Sequence, residues 1–366
     1  MSTNNRTGRK RDYVGVLSSV FAIVIGLLVG FVILLICNPS QALPGFVTIL
    51  TGAFTHGLKG VGQVFYYATP IILTGLSVGF AFKTGLFNIG TPGQFIVGAF
   101  AAVYVGIMWT GLGRIQWAVA LLAAILGGAL WGMVPGFLKA CFNVNEVIAS
   151  IMMNYIGMYM VNWIVKSYKP LFNNLRNESR NVAVTAQIPK MGMDKLFPES
   201  SVGGGILLAI AAVLIIWVIL NKTTFGYELK AVGFNRDASR YAGINEKRNI
   251  IMSMVIAGAI AGMAGGLLYL AGTGKHIEIK DVLASEGFTG ISVALLGLSH
   301  PIGVLFSGLF IAYLTAGGFY LQLFEFSTEI IDIIVAVIIY FSAFALIVKT
   351  ILTRMNRKRE KGDGRT

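Results

Sequence analysis

Apolar runs of roughly twenty residues, almost free of charge, follow one another along nearly the whole chain, and no other feature limits its possible folds so severely. A hydrocarbon layer about 30 Å thick is crossed by ~20 apolar residues in a helix. Within that layer every backbone N–H and C=O needs a partner inside the protein, which leaves helices and closed barrels as the solutions. The alternating pattern of barrel strands is absent from these runs. Of 366 residues, 55% are hydrophobic and 12% charged, and the mean hydropathy is +0.75. A soluble domain carries ~25% charged residues. The chain therefore reads as an all-α polytopic membrane protein. Spans are expected near 14–37, 62–83, 94–110, 116–140, 147–168, 204–221, 249–272, 286–299, 302–320 and 329–351, ten in all. The first follows the basic stretch NRTGRKR but is too long for a cleaved signal, so it reads as an uncleaved anchor.

The net charge of +13 has a topological explanation and does not call for nucleic acid as a partner. Four Lys or Arg lie in the N-terminal segment 1–13, six in the loop 222–248 and seven between Lys349 and Arg365. Lys83 and Lys139 bring that side to 19 of the 29, and six of the other ten lie in or beside residues 169–203. The positive-inside rule then places both termini in the cytoplasm, and matching termini require an even number of spans. The expected organisation is a basic N-terminus at 1–13, a transmembrane domain at 14–351 and a basic tail at 352–366. Cys37 and Cys141 fall at opposite ends of their spans and cannot pair.

Two segments outside the spans stand out. The extracytoplasmic loop 169–203 is polar, holds three prolines and is long enough for a lid or a binding surface. In the cytoplasmic loop 222–248, Asn235 suits an N-cap and Asp237 the first turn, while Gly243 suits a left-handed stop. These residues predict a two-turn helix over 236–242. A helix so short is unstable alone in water, so either its own bundle or another protein must pack on it.

Inside the apolar sequence, GLFNIGTPGQFIVGA (residues 85–99) places Asn88, Thr91, Pro92 and Gln94 where neither lipid nor a plain helix favours them. Non-helical backbone at membrane depth survives only when buried in protein or lining a wet cavity. Gly90 and Gly93 are expected to permit a turn and Pro92 to start a new helix. The polar side chains either satisfy freed backbone groups or face a hydrophilic cargo. EGFTGISVALLGLSHPIGV (residues 286–304) is interrupted in a similar way. Two broken segments at corresponding places in two halves point to a pathway built on an inverted repeat.

FNVNEVIASIMMNYIGMYM (residues 142–160) adds Asn145 and Glu146 at a helix start and Asn154 about two turns further in. For Asn154 an interhelical hydrogen bond competes with a role facing cargo. Glu286, Glu329 and Asp332 sit at helix starts, where the dipole accounts for them. No acid is left for mid-membrane depth, which argues against an ion-coupled secondary carrier. AGTGKH (residues 271–276) lacks the first glycine and final hydroxyl of a phosphate-binding loop. No nucleophile–base pair or metal spacing appears, so the chain is not expected to be an enzyme or to bind a cofactor.

Taken in order, GLFNIGTPGQFIVGA, NEVIASIMMNYI, TTFGYELKAVGFNRDASRYAGI and GFTGISVALLGLSHPIGV resemble the permease subunits of bacterial ABC importers for nucleosides and simple sugars, within the ribose and branched-chain amino-acid permease group. The resemblance implies a cytoplasmic-membrane subunit that moves nucleosides by alternating access. It also implies a separate ATPase that uses the ATP, a second homologous permease and an extracytoplasmic substrate-binding lipoprotein. A ribose- or galactose-type sugar permease is the alternative. By the same resemblance residues 235–243 form a coupling helix, with Gly233, Asn235, Arg236, Ala238, Arg240, Ala242 and Gly243 meeting the ATPase. Related permeases often carry an acid at the place of Thr91 or Pro92, which this chain lacks. The expected substrate pathway comprises Asn88, Thr91, Gln94, Asn145 and Asn154, with Asn88 and Gln94 foremost.

Overall fold

A computed structural model describes the backbone of residues 4–327 and of 329, 330, 332–334, 336, 337, 340 and 341, with side chains from residue 20 onward except residue 22. The chain is helical almost throughout. Its helices are α1 (Asn4–Cys37), α2 (Ala42–Thr55), α3 (Gly57–Lys83), α4 (Thr91–Met108), α5 (Gln116–Phe142), α6 (Glu146–Ser167), α7 (Met193–Leu196), α8 (Gly205–Lys222), α9 (Thr224–Phe234), α10 (Arg236–Tyr241), α11 (Glu246–Tyr269), α12 (Ser285–Leu296) and α13 (Pro301–Phe319).

Among the described residues seven helices are long and apolar enough to cross a membrane: α3, α4, α5, α6, α8, α11 and α13. The expected all-α polytopic class is therefore what the chain adopts, and these seven helices fall on seven of the ten expected spans. The segment at 286–299 yields only the 12-residue α12, about 18 Å long at 1.5 Å per residue. The described apolar part of α1, Ile23–Cys37, is also short. Most of the tenth span at 329–351, and the tail 352–366, lie outside the described residues. Helix α2 was not anticipated; it buries Ala42, Gly45, Ile49, Gly52 and Ala53, a stripe at helical spacing.

Local sequence signals set several helix ends. Asn145 Oδ1 accepts from the N–H groups of Val147 (2.9 Å) and Ile148 (3.4 Å), capping α6. Asn235 does the same for α10 through Ala238 N–H at 2.9 Å, and Gly243 follows at φ +82°. Pro92 occupies the first turn of α4. The region 222–248 nevertheless holds two helices, α9 and α10, where one was expected.

Helices α4, α5 and α11 meet through glycine. A methyl on Gly98 would lie 2.3 Å from Gly262 Cα, and one on Gly128 would lie 2.3 Å from Gly258 O. Gly265 approaches Phe95 O in the same way, at 2.3 Å from its would-be Cβ. Such small-residue faces let backbones touch where lipid supplies no hydrophobic drive. Around α3, buried continuously from Ala68 to Ala81, pack α12 and α13. There Gly290 abuts Thr74 and Gly308 abuts Ile72.

The loop 169–203 is ordered and knitted to the bundle. A two-residue hairpin pairs Phe172 with Ser179 and Asn173 with Glu178. Ser179 N–H then donates to Ile277 O (2.9 Å) and Ile279 N–H to Asn177 O (3.1 Å), tying it to the connection between α11 and α12. Ala183 N–H donates to Gly106 O (3.0 Å) and Ile188 N–H to Leu270 O (2.9 Å). The buried Gln116 amide bonds Val105 O and Gly106 O, each at 3.1 Å, and accepts from the Thr185 hydroxyl at 2.5 Å.

Candidate functional site

Between α3 and α4 the chain leaves helical geometry for residues 84–90. The left-handed residue is Gly85, at φ +76°. Gly90, at φ −77°, and Gly93, inside α4, do not use the conformational freedom expected of them. Space is what they supply: a Cβ on Gly93 would lie 2.8 Å from Asn154 Cα, and one on Gly90 would crowd Asn88, Gln94 and Ser150 at 3.2 Å.

The polar residues of this turn form a closed knot. Asn88 Nδ2 donates to Gln94 Oε1 (2.9 Å) while Gln94 Nε2 donates back to Asn88 Oδ1 (3.1 Å). Asn88 Oδ1 also accepts from Gly90 N–H, and Thr91 Oγ1 donates to Asn88 O at 3.1 Å. From α6, Asn154 Oδ1 caps the first turn of α4 by accepting from Gly93 N–H at 2.9 Å. Its Nδ2 donates to Ile89 O at 3.0 Å. Asn154 thereby supplies one of the N–H partners a helix start lacks and satisfies a carbonyl of the irregular turn. Asn88, Thr91, Gln94 and Asn154 are all buried. The structure thus brings four of the five expected pathway residues together, each with a partner. Asn145 stands apart, at the start of α6, next to the Lys139–Glu146 ion pair of 2.8 Å.

Below the knot, the α9–α10 segment touches the turn directly. A Cβ on Gly85 would lie 2.6 Å from Gly233 Cα, and one on Gly233 would lie 2.7 Å from the Thr84 carbonyl carbon. Thr84 hydrogen-bonds Ser253 of α11 at the same place. Arg236 pairs with Glu246 (Nε to Oε2, 2.9 Å) and reaches Asn143 Oδ1 (3.4 Å), which fixes α10 to α11 and to the α5–α6 corner. Ala238, Arg240, Ala242 and Gly243 are exposed. So are two aromatics that the sequence reading passed over, Phe234 at 90% and Tyr241 at 94%. Large rings at both ends of a six-residue polar helix were the available signal.

At the opposite end a cavity of about 320 Å³ opens beneath the 270–284 connection. Ile96, Asn162, Lys275, His276 and Glu286 line it, and Lys275 pairs with Glu286 at 3.1 Å. Its size falls in the ~300–1,000 Å³ range of small-molecule pockets. Asn162, within α6, and Lys275, in the incomplete AGTGKH motif, were not anticipated as cavity residues. Tyr66 hydrogen-bonds Thr273 at 3.1 Å and packs on Tyr67. Phe65 packs edge-on to Phe197.

A family model described as "Branched-chain amino acid transport system / permease component" matches residues 60–343. The chain belongs to this permease family. The permease is 38% identical to the guanosine ABC transporter permease protein NupP of Bacillus subtilis, over 93% of this chain and 96% of that protein. It is 34% identical to the nucleoside ABC transporter permease protein NupB of Lactococcus lactis, over 96% and 95% of the two chains. The glucose ABC transporter permease protein TsgB13 of Haloferax volcanii is 31% identical over 81% of the permease and 78% of its own length. No solved structure matches the permease.

Proposed function

We propose that the chain is the transmembrane permease subunit of an ATP-driven nucleoside importer in a bacterial cytoplasmic membrane. The observation that carries this reading is the near end-to-end similarity to two nucleoside permeases, at 38% and 34% identity. The glucose permease relative is less similar and matches less of the chain, so the sugar reading ranks second.

In this reading both termini and the α9–α10 face lie in the cytoplasm, and ten spans cross the membrane. The two broken segments belong to an inverted repeat. The exchange of partners between halves supports it: α12 packs on α3 while α11 packs on α4, and Gly287 of α12 meets Pro92 at the start of α4. A separate ATPase receives α10, a second homologous permease completes the passage and a lipoprotein delivers the nucleoside over the 169–203 face. This chain holds no cofactor; ATP is spent by the partner. Closure of the ATPase would displace α10 and, through Gly233, the Thr84–Gly85 turn. The Asn88–Gln94 pair begins three residues further along the same irregular segment. A pathway role for Asn88, Thr91, Gln94 and Asn154 requires the knot to open during the cycle, while Asn145 would act outside it. Nucleoside uptake unchanged in Asn88→Leu and Gln94→Leu, at equal expression, refutes that role.

The test of the whole reading is reconstitution. Vesicles holding the permease with its ATPase, companion permease and lipoprotein should accumulate guanosine only when ATP is supplied, while the permease alone should do nothing. Uphill accumulation by the lone chain, or uptake of glucose and no nucleoside by the full complex, overturns it.

A further inference from the structure

Helix α6 exposes a broad face on which Ile148, Met152, Tyr155, Tyr159 and Trp163, spaced three and four residues apart, form a stripe flanked by Ile151 and Ile156. Exposed stripes on other helices are hydrocarbon: α5 shows Leu122, Leu126 and Leu130, and α8 shows Leu207, Leu214 and Val218. The α6 stripe differs by carrying two phenols. In a 22-residue helix that starts at Glu146 the midpoint falls between residues 156 and 157. Tyr155 and Tyr159 therefore lie within about 4 Å of the centre along the axis.

Tyrosines that face lipid sit at the two interfaces, where the hydroxyl meets water. From the centre of a 30 Å layer the interface is ~15 Å away, beyond the reach of a phenol. Neither hydroxyl finds a hydrogen-bond partner among the described residues, although the rings are 46% and 53% exposed. Two unsatisfied hydroxyls held in hydrocarbon are costly. Trp163, one turn from the helix end, is an ordinary interface residue by comparison. The next face of α6 supplies Asn162 and Met158 to the polar cavity that holds Lys275 and Glu286, so the outer end of the stripe lies beside the cavity's rim.

We propose that the Tyr155–Tyr159 face of α6 is a water-lined wall of the passage and that its two rings carry the nucleobase by stacking. The proposal rests on the nucleoside reading above and assigns that cargo its surface. Bases stack on aromatic rings with little regard to identity, and the ring edges and hydroxyls offer polar contact to the ribose. Two rings one turn apart, about 6 Å along the axis, let a planar cargo pass from one to the next.

The test uses the assembled importer in vesicles, with Cys37→Ser and Cys141→Ser removing the native thiols. Tyr155→Cys and Tyr159→Cys should react with a hydrophilic, charged methanethiosulfonate reagent in at least one nucleotide state, and guanosine should slow the reaction. Leu126→Cys on α5 should not react. In uptake assays Tyr159→Leu should lower guanosine transport roughly tenfold at subsaturating substrate, as loss of a stacking partner predicts, while Tyr159→Phe stays within about threefold. Cysteines at 155 and 159 that stay unreactive in every nucleotide state overturn the wet wall. Reaction that guanosine does not slow, or a Tyr159→Leu complex with wild-type uptake, overturns the stacking role. A wild-type complex that carries a sugar and no nucleoside fails the functional reading itself, and that result appears before any variant is made.

Discussion

Replacing Asn154 by leucine removes both clamps that α6 places on the broken segment. The side chain gives Gly93 N–H its acceptor at 2.9 Å in a buried bond and Ile89 O its donor at 3.0 Å in a partly buried one. Each orphaned buried group costs ~1–3 kcal/mol. The added apolar area returns ~1–2 kcal/mol. The net loss is then roughly 3 kcal/mol, a large part of a stability of ~5–15 kcal/mol. Gly93→Ala attacks the same joint from the other side, because its Cβ would lie 2.8 Å from Asn154 Cα; overpacking of this kind costs ~1–3 kcal/mol. Since both changes loosen one contact, the double variant should lose less than the two losses added together. The assay is thermal inactivation in detergent, followed as the monodisperse fraction on size exclusion at a fixed heating time, since membrane proteins of this size rarely unfold reversibly. A fall of about 5 °C in the inactivation midpoint is expected for Asn154→Leu. Wild-type inactivation for that variant refutes the clamp. Wild-type inactivation together with lost uptake assigns Asn154 to the cargo.

Three further outcomes are expected. Gly262→Leu should abolish stable insertion, because even a Cβ there would lie 2.3 Å from Ala124 O and 2.9 Å from Gly128 Cα; pulse-chase turnover in cells reads it. Gly243→Trp, at φ +82° with open space around it, should insert normally yet lose ATP-driven uptake and stimulation of the ATPase, whereas normal coupling refutes docking at that point. Gln116→Leu leaves the Thr185 hydroxyl and the Val105 and Gly106 carbonyls without their amide, so limited proteolysis should cut residues 183–186 faster than in the wild type.

What the sequence made legible was local. Caps and stops depend on a few neighbouring residues, and the roles read for Asn145, Asn235, Gly243 and Pro92 are those they play in the structure. The oddity of Asn88, Thr91 and Gln94 also announced a buried irregular turn. What stayed hidden was set by partners remote in the chain. Gly98 needs its small size because of Gly262, and Gly93 because of Asn154; a single sequence does not display such pairings. Ser179 finds Ile277 across a loop with no strand pattern. Helix α2, at 14 residues, is shorter than the ~20 that mark a span. Phe234 and Tyr241 belong to no cap, stop or small-residue pattern that would mark them as exposed.

The three-helix unit of α4, α5 and α11 has little give. Where backbones touch with no side chain between them, no rotamer can change to absorb a shift, and sliding by one residue would drive carbonyls into Cα atoms. Such a unit transmits displacement as a stiff plate does. Motion during a transport cycle must therefore be taken up at its borders: the 84–90 turn, the α5–α6 corner at Asn143, and the 270–284 connection.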